Sequence, residues 1–532
     1  MSIGSDIFKN HRPTKVIWLT NTPPNGYTSA AGTVNYVAND QYSLSNKTVY
    51  KFLSSTFEVD GVKYVPVSPS ERTCDAIDCM YEPTAENLNI GETVEYKSVK
   101  MKVNQVHSYA CYNNQHIKDV KIDCPGNVGN NAFYNCKELV TTTLSEQVAG
   151  IGEYCFSNCT NLQGIIIPDA VKTVGKYAFQ NCSSMESVKM GIGVETIETY
   201  TFTGCSALTD MQIGSNVKSI NAYAFNNCSS LPLIEIPQSV TMIDNHVFYR
   251  CKALKNVYIA DRTTELSLGS NSSSPLFADC PLDSVYIGGN ISYNKSSNYG
   301  YSPFYRNTSL RSVHITDQET EISPNEFYGC TGLKNVRIGD GVTTIGNWAF
   351  SGCSSLDYFQ FGASVETIGQ EAFSDCVAVT KVISRASTPP TCGSQALDDL
   401  SKWECQLEVP EGMAGAYQEA DQWKEFFFVE EGDAAVTWHK LIYEVDGETF
   451  KTVNVAAGAA ITPEQAPAKA GYTFAGWTNL PLTMPAHDVT VTARYVLADN
   501  NDMSTRGDLN NDGFVNIADV TKLIDYILGR TQ

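Results

Sequence analysis

The stretch IGEYCFSNCTNLQGIIIPDAVKTVG, Ile151 to Gly175, decides the fold, because its last phrase, Val174-Gly175, restarts the pattern set by Ile151-Gly152. Within it Phe156 precedes Cys159 by three residues, and Leu162, Ile165 and Ile167 make a short apolar run before Pro168 and Val171. The same phase recurs in both directions. Cysteines fall at Cys136, Cys159, Cys182, Cys205, Cys228 and Cys251, each 23 residues after the last, and again at Cys330, Cys353 and Cys376. Phenylalanines keep step three positions earlier, at Phe133, Phe156, Phe179, Phe202, Phe225, Phe248, Phe327, Phe350 and Phe373. A fixed period of this length belongs to stacked units that cannot bury their apolar face alone. The chain is therefore expected to be mainly β, a solenoid of about twelve 23-residue turns. These open at Val106, Val128, Ile151, Val174, Ile197, Ile220, Ile243, Leu268, Ile291, Ile322, Ile345 and Ile368.

Working outward, the run at Leu162, Ile165 and Ile167 returns as Leu208, Met211 and Ile213 and as Leu333, Val336 and Ile338. Repeated strands in register stack as a parallel sheet, with the Phe and Cys of each turn forming ladders inside. From Leu266 to Ile322 the beat breaks, although Phe277 and Phe304 keep the pattern. Such insertions map to loops on one face of a solenoid, often the binding face. The unit resembles the leucine-rich repeat of BspA-like bacterial surface proteins, and Ile345-Gly346-Asn347-Trp348-Ala349-Phe350-Ser351-Gly352-Cys353 is a near copy of that motif. The resemblance implies a cell-surface or secreted recognition protein, and so a protein or glycan ligand held by the solenoid.

The 17 cysteines are mostly explained by the repeat: ten, Cys280 included, sit at the ladder position, where a small buried hydrophobe suffices. Off the ladder, Cys74 with Cys79 and Cys392 with Cys405 are candidates for disulfides. Asn158, Asn181 and Asn227 match a glycosylation sequon, but they recur on the repeat beat and read as turn formers. A net charge of −21 leaves no basic stripe for phosphates, so no nucleic-acid partner is expected. No apolar run reaches the length of a membrane span.

The domain reading runs as follows. Residues 1–60 are the end and cap of an upstream repeat array, since Thr14-Lys15-Val16-Ile17 and Thr22-Pro23-Pro24 echo Thr380-Lys381-Val382-Ile383 and Thr388-Pro389-Pro390. A signal sequence would then lie upstream. Residues 61–105 form a β-rich N-terminal cap, 106–400 the solenoid and 401–432 a C-terminal cap. Residues 436–497 alternate as strands do, with Asp446-Gly447 as a hairpin turn. Gly471-Tyr472-Thr473-Phe474-Ala475-Gly476-Trp477 and Met484-Pro485 to Val491 look like the Listeria–Bacteroides, or internalin B-type, repeat. That resemblance implies a small β-grasp-like spacer, with Phe474 and Trp477 in its core.

After a linker at 498–506, residues 507–532 carry the one segment with readable chemistry. Asp508, Asn510, Asp512, Asn516 and Asp519 place oxygen side chains at calcium-loop positions 1, 3, 5, 9 and 12, Gly513 permits the turn, and Phe514 offers its carbonyl. Val520, Leu523, Ile524, Ile527 and Leu528 follow at helical spacing. Loop and helix resemble one repeat of a type I dockerin, which implies Ca²⁺ as cofactor and a cohesin-like partner. Dockerins pair two such repeats, and this sequence carries one before Gln532.

No H-E-x-x-H, P-loop or nucleophile elbow is present, so no catalytic residue is assigned and the chain reads as a non-enzyme. Adhesion through the solenoid with a calcium-dependent tether is the first reading. The alternative is a non-catalytic spacer or subunit of a surface complex that degrades polysaccharide.

Overall fold

The computed structural model describes residues 56–497 with short breaks, chiefly at 80–85, 270–274, 294–301, 433–437 and 457–460, and four short strands before residue 50. The expected calcium loop and helix at 507–532, and most of the expected cap at 1–60, lie outside the described residues. The chain divides into two units, Met1–Ala434 and Ala435–Gln532.

The first unit is a winding of short strands, two to a turn rather than one. Most turns contribute a four-residue strand, such as Gly164–Ile167, and a two-residue strand, such as Thr173–Val174. The four-residue strands pair in parallel and in register, Gly164 to Ser187 and Ile167 to Met190. The two-residue strands do the same, Gly150 to Thr173 and Ile151 to Val174. The repeat-opening residues named above are this second, narrow ladder. Counting both ladders gives about 14 turns, not twelve. The extra rungs stand at the ends, where Asn87–Ile90 pairs with Asp119–Ile122 and Gln406–Val409 pairs with Phe428–Glu431. Those end rungs lack the Phe and Cys beat, which is why the period alone undercounts them.

The interior follows from the repeat. Phe133, Phe156, Phe179, Phe202, Phe225, Phe248 and Phe277 are all fully buried or nearly so and stack face to face, with centroids 5.2–5.9 Å apart. From Cys159 onward each ladder cysteine donates its S–H to the phenylalanine carbonyl of the turn before, as Cys182 does to Phe156 at 3.2 Å and Cys205 to Phe179 at 3.2 Å, while Cys136 donates to the Cys111 carbonyl at 3.0 Å. Burial pushes the Cys205 thiol up to about 12, so it stays protonated and able to donate. A cysteine fits because it is small, apolar and still a weak donor.

Two residues either side of Phe133, Phe156, Phe179, Phe202, Phe225, Phe248, Phe327, Phe350 and Phe373 the backbone enters the left-handed region. Around Phe202 these are Tyr200 (φ 60°) and Gly204 (φ 77°). Asn158, Asn181 and Asn227 occupy the second of these places at φ 58–61°, which asparagine tolerates better than most residues. The sequon-like Asn is there for the turn.

The cysteine pairing differs from expectation. Cys79 is bonded to Cys111, while Cys74, Cys392 and Cys405 are free thiols. The reason is register. Cys79 and Cys111 make the backbone bonds of the phenylalanine position, to Ala110 and Ala132 at 2.9 and 2.7 Å, as Phe133 does to Cys155 at 2.8 Å. The two cysteines thus replace two rungs of the ring ladder in the first turns, with Cα atoms 4.9 Å apart. At the far end the helix Ala414–Glu419 and the short 3₁₀ turn Trp423–Glu425 lay Tyr417 and Trp423 over the last turns, both fully buried. Their polar tips reach Ala386 and Pro390 carbonyls at 2.9 and 2.8 Å.

The second unit is a four-stranded mixed sheet. Trp438–Val445 lies between Glu448–Ala456 and Val489–Leu497, and Tyr472–Thr478 pairs on the outside of the latter. Asp446 (φ 53°) and Gly447 (φ 85°) make the hairpin turn. Trp477 is buried against Tyr443 at 4.7 Å, donates Nε1–H to the Glu464 carbonyl at 2.8 Å, and touches Phe474 at 5.3 Å. Phe450 is 43% exposed: it has the opposite parity to the inward Val453 and Val455 and is the residue left unpaired by the bulge that shifts the register between Tyr443 and Glu444.

Candidate functional site

The broad sheet of the solenoid runs unbroken through nine strands, from Leu233–Ile236 to Phe428–Glu431. Alternation along each strand sends Val257, Val285, Val313 and Val336 inward and leaves two columns of side chains on the outer face. One column reads Asn256, Ser284, Ser312, Asn335, Tyr358 and Lys381; the other reads Tyr258, Tyr286, His314, Arg337 and Gln360. The second, third and fourth strands of this face are joined by two long turns, where successive strands are 28 residues apart rather than 23.

On those three strands three rings stack side by side. Tyr258 and Tyr286 lie 4.6 Å apart at 15°, and Tyr286 and His314 lie 5.2 Å apart at 28°. Tyr286 is sandwiched, so it is only 7% exposed although it points away from the core. Its hydroxyl donates to Asp261 at 2.9 Å. In the neighbouring column Ser284 donates to Asn256 at 2.7 Å and Ser312 to Asn335 at 2.7 Å. Arg337 continues the ring column, and Arg385 pairs with Asp340 at 3.5 Å.

The electrostatics follow from partial burial. Desolvation, and next the charge of Asp261, raise the Tyr258 phenol to about 12. Burial raises Tyr286 as well, helped by its bond to Asp261. Burial, and then the neighbouring Arg337 charge, hold His314 down at about 3. Burial and Arg385 lower Arg337 without neutralising it. Over ordinary pH the face therefore presents neutral rings, hydroxyls and amides around a guanidinium, with Asp261, Asp317 and Asp340 at its rim. Aromatic rings and arginine of this kind supply the anchoring contacts of binding surfaces.

A second ring ladder stands on the turn side, where Tyr154, Tyr177, Tyr200, Tyr223 and His246 stack at 4.5–4.9 Å. It sits on left-handed backbone and reinforces the turns. In the first turns the Asp75 carboxylate bonds His107 at 2.9 Å and Gln105 at 3.0 Å, both acid and histidine being buried. The adjacent thiols Cys74 and Cys124 are each driven up to about 12, mainly by burial, so neither is an activated nucleophile.

The residues singled out for calcium, Asp508, Asn510, Asp512, Phe514, Asn516 and Asp519, lie outside the described residues. Among the described residues no group of three or more His, Cys, Asp or Glu is placed to hold a metal ion, and no helix is long and apolar enough to cross a membrane. The strand-face patch was not singled out from the sequence. Its signal was present in the equal spacing of Tyr258, Tyr286 and His314, which the interrupted cysteine beat obscures.

Comparison with known proteins fits this geometry. A model of the BspA type leucine rich repeat region matches residues 104–232, 172–303 and 297–398, which together span more than half of the chain. The chain belongs to the BspA-type leucine-rich repeat family, whose members are typically bacterial surface proteins. Residues 439–494 match the Listeria-Bacteroides repeat domain. Among solved structures, a leucine rich cell surface protein from Faecalibacterium prausnitzii is 22% identical, covering 63% of this chain and 95% of its own, with a TM-score of 0.36. A leucine-rich repeat protein from Bacteroides ovatus is 23% identical over 71% of this chain and 100% of its own, with a TM-score of 0.41. The pneumococcal vaccine antigen PcpA is 13% identical, covering 72% and 99%, with a TM-score of 0.32. No curated protein matches the chain, and no enzyme family is found.

Proposed function

We propose that this chain is a non-catalytic recognition protein of the bacterial surface that grips a protein or glycan partner on the outer face of its broad sheet. The observation that carries the reading is the Tyr258–Tyr286–His314 stack continued by Arg337, set where two 28-residue turns interrupt the 23-residue repeat. Rings pre-stacked on a rigid sheet lose little freedom on binding, which favours such a platform. The test is binding of the full chain to arrays of host matrix proteins and of glycans, followed by titration of whatever is captured. Arg337→Ala and Tyr258→Ala should each cost about 2 kcal/mol, roughly thirtyfold in Kd, as anchor residues do. Affinity should be level above about pH 4, because His314 stays neutral down to about 3. Unchanged affinity in both variants would move the site elsewhere on the solenoid.

In this reading the four-stranded unit is a β-grasp-like spacer, and the C-terminal segment is a dockerin-like tether for a cohesin-like partner. Ca²⁺ would be held by Asp508, Asn510, Asp512, Asn516 and Asp519 with the Phe514 carbonyl, because three carboxylates brought together need a cation and a helix this short is marginal alone. Calorimetry on the full chain should give a one-to-one calcium isotherm with a gain of helical circular dichroism. Asp508→Ala and Asp519→Ala should each weaken it and Lys522→Ala should not. No heat at millimolar Ca²⁺ would remove the tether from the proposal and leave the strand face untouched.

A further inference from the structure

The narrow sheet is interrupted twice, after Thr173–Val174 and after Ile291–Ser292, and only the second interruption coincides with an insertion. There the ladder resumes at Glu321–Ile322, while the broad sheet passes the same point without a break. Side chains span the gap instead of ladder bonds. Asn290 Oδ1 accepts from the Thr320 N–H at 2.8 Å and from its hydroxyl at 3.1 Å. The Tyr293 hydroxyl donates to the Pro324 carbonyl at 3.2 Å, the Ser302 hydroxyl donates to the Glu326 carbonyl, and the Ile291 N–H donates to the Glu319 carboxyl.

Two of these spanning residues break the repeat. Glu319 stands where Val342 and Val365 stand in the next two turns, and Glu326 stands where Ala349 and Ala372 do. Both are interior positions, and the glutamates are 3% and 1% exposed. Glu326 Oε2 accepts the Ser323 N–H at 2.7 Å, whereas Glu319 Oε2 is buried with no partner. The charged groups bearing on Glu319 are carboxylates: Glu326 and Glu321 from its own turn and Glu265 from two turns before, with the Tyr293 phenol beside Glu326. Two carboxylates so placed do not both ionise, since each charge is desolvated and repelled by the other.

We propose that the break between Ile291–Ser292 and Glu321–Ile322 is a hinge in the solenoid, pinned by a proton that Glu319 holds beside Glu326. The pin is independent of what the strand face binds. Its sign is fixed by linkage. Burial, and next Glu326, move Glu319 from an ordinary 4.5 up to about 9. Across that interval the folded chain keeps a proton that the unfolded chain has lost, so stability falls as pH rises and levels off above about 9.

The experiment compares denaturation of the full-length chain and of E319Q from pH 5 to 10. Glutamine cannot ionise, so E319Q should gain on the unaltered chain by up to about tenfold in the unfolding constant per pH unit, levelling above about 9. E326Q removes the repelling charge and should bring the levelling point to lower pH. Parallel curves for the unaltered chain and E319Q would overturn the proposal. Should E319Q fail to fold, hydrogen exchange of the unaltered chain decides. Protection corrected for intrinsic rate should fall more than tenfold between pH 6 and 9.5 at Ile291 and Glu321 to Glu326, but not at the equivalent Thr344 to Ala349. An equal fall in both turns would overturn it. So would a gain in stability on adding Ca²⁺ to a chain carrying D508A and D519A that E319Q abolishes, since a cation would then be the pin.

Discussion

Phe202→Ala should destabilise the solenoid by about 3–5 kcal/mol, the range for emptying a fully buried phenylalanine site. Phe202 is completely buried and lies between Phe179 at 5.4 Å and Phe225 at 5.6 Å. Those rings are held by their own turns, whose spacing is fixed by the parallel ladders, so they cannot slide together to fill the space. The Cys228 thiol also donates to the Phe202 carbonyl at 3.3 Å, which ties the next turn to this backbone. Because each turn touches only its neighbours, the damage should be local and should split calorimetric unfolding into two transitions. Phe450→Ala in the second unit is the control, since that ring is 43% exposed and its loss should cost far less. A change below about 0.5 kcal/mol at Phe202 would mean that the ring ladder is not the core.

Replacing Cys79 and Cys111 together by alanine should cost about 3–4 kcal/mol, with the effect confined to the first turns. The bond closes a separation of 32 residues, and the loop-closure entropy removed from the unfolded chain grows slowly with that length. The site adds a second reason. The two cysteines take rungs that phenylalanine fills elsewhere, so with the bond gone two successive alanine rungs would leave unfilled space at the end of the ring ladder. Chemical denaturation with and without a thiol reductant measures the first term, because reduction opens the bond and leaves the side chains in place. The 15 remaining thiols should not confuse the result, since 14 of them are buried and Cys392 is partly so. Equal stability of the oxidised and reduced chain would show that the first turns are held by packing alone.

These two expectations differ in how they could be reached. The Phe202 result is legible in the sequence, because a 23-residue period can be satisfied only by stacking and the one large ring per period must then fill the tube. Local chemistry was equally legible: Asn158, Asn181 and Asn227 mark left-handed turns, and Asp446-Gly447 marks the hairpin. The number of turns, the narrow second ladder, and the partner of Cys79 were not, because each depends on which residues the winding brings to one level. Cys79 and Cys111 share no spacing with the later cysteines and meet only through register.

The candidate site divides the same way. Periodicity located the interruption from Leu266 to Ile322 and marked it as the place to look for function. It could not say that Tyr258, Tyr286 and His314 would stack, since residues 28 apart become neighbours only when both long turns return their strands to one sheet. Nor could it place Glu319 and Glu326, which read along the chain as ordinary acidic loop residues and are buried solely because their positions belong to Val and Ala in the adjoining turns. A repeating sequence determines the winding, since every turn must cover the next. Where the repeat is broken, the tertiary structure alone decides which side chains meet, because contacts there are set by stacking across turns and not by neighbours along the chain.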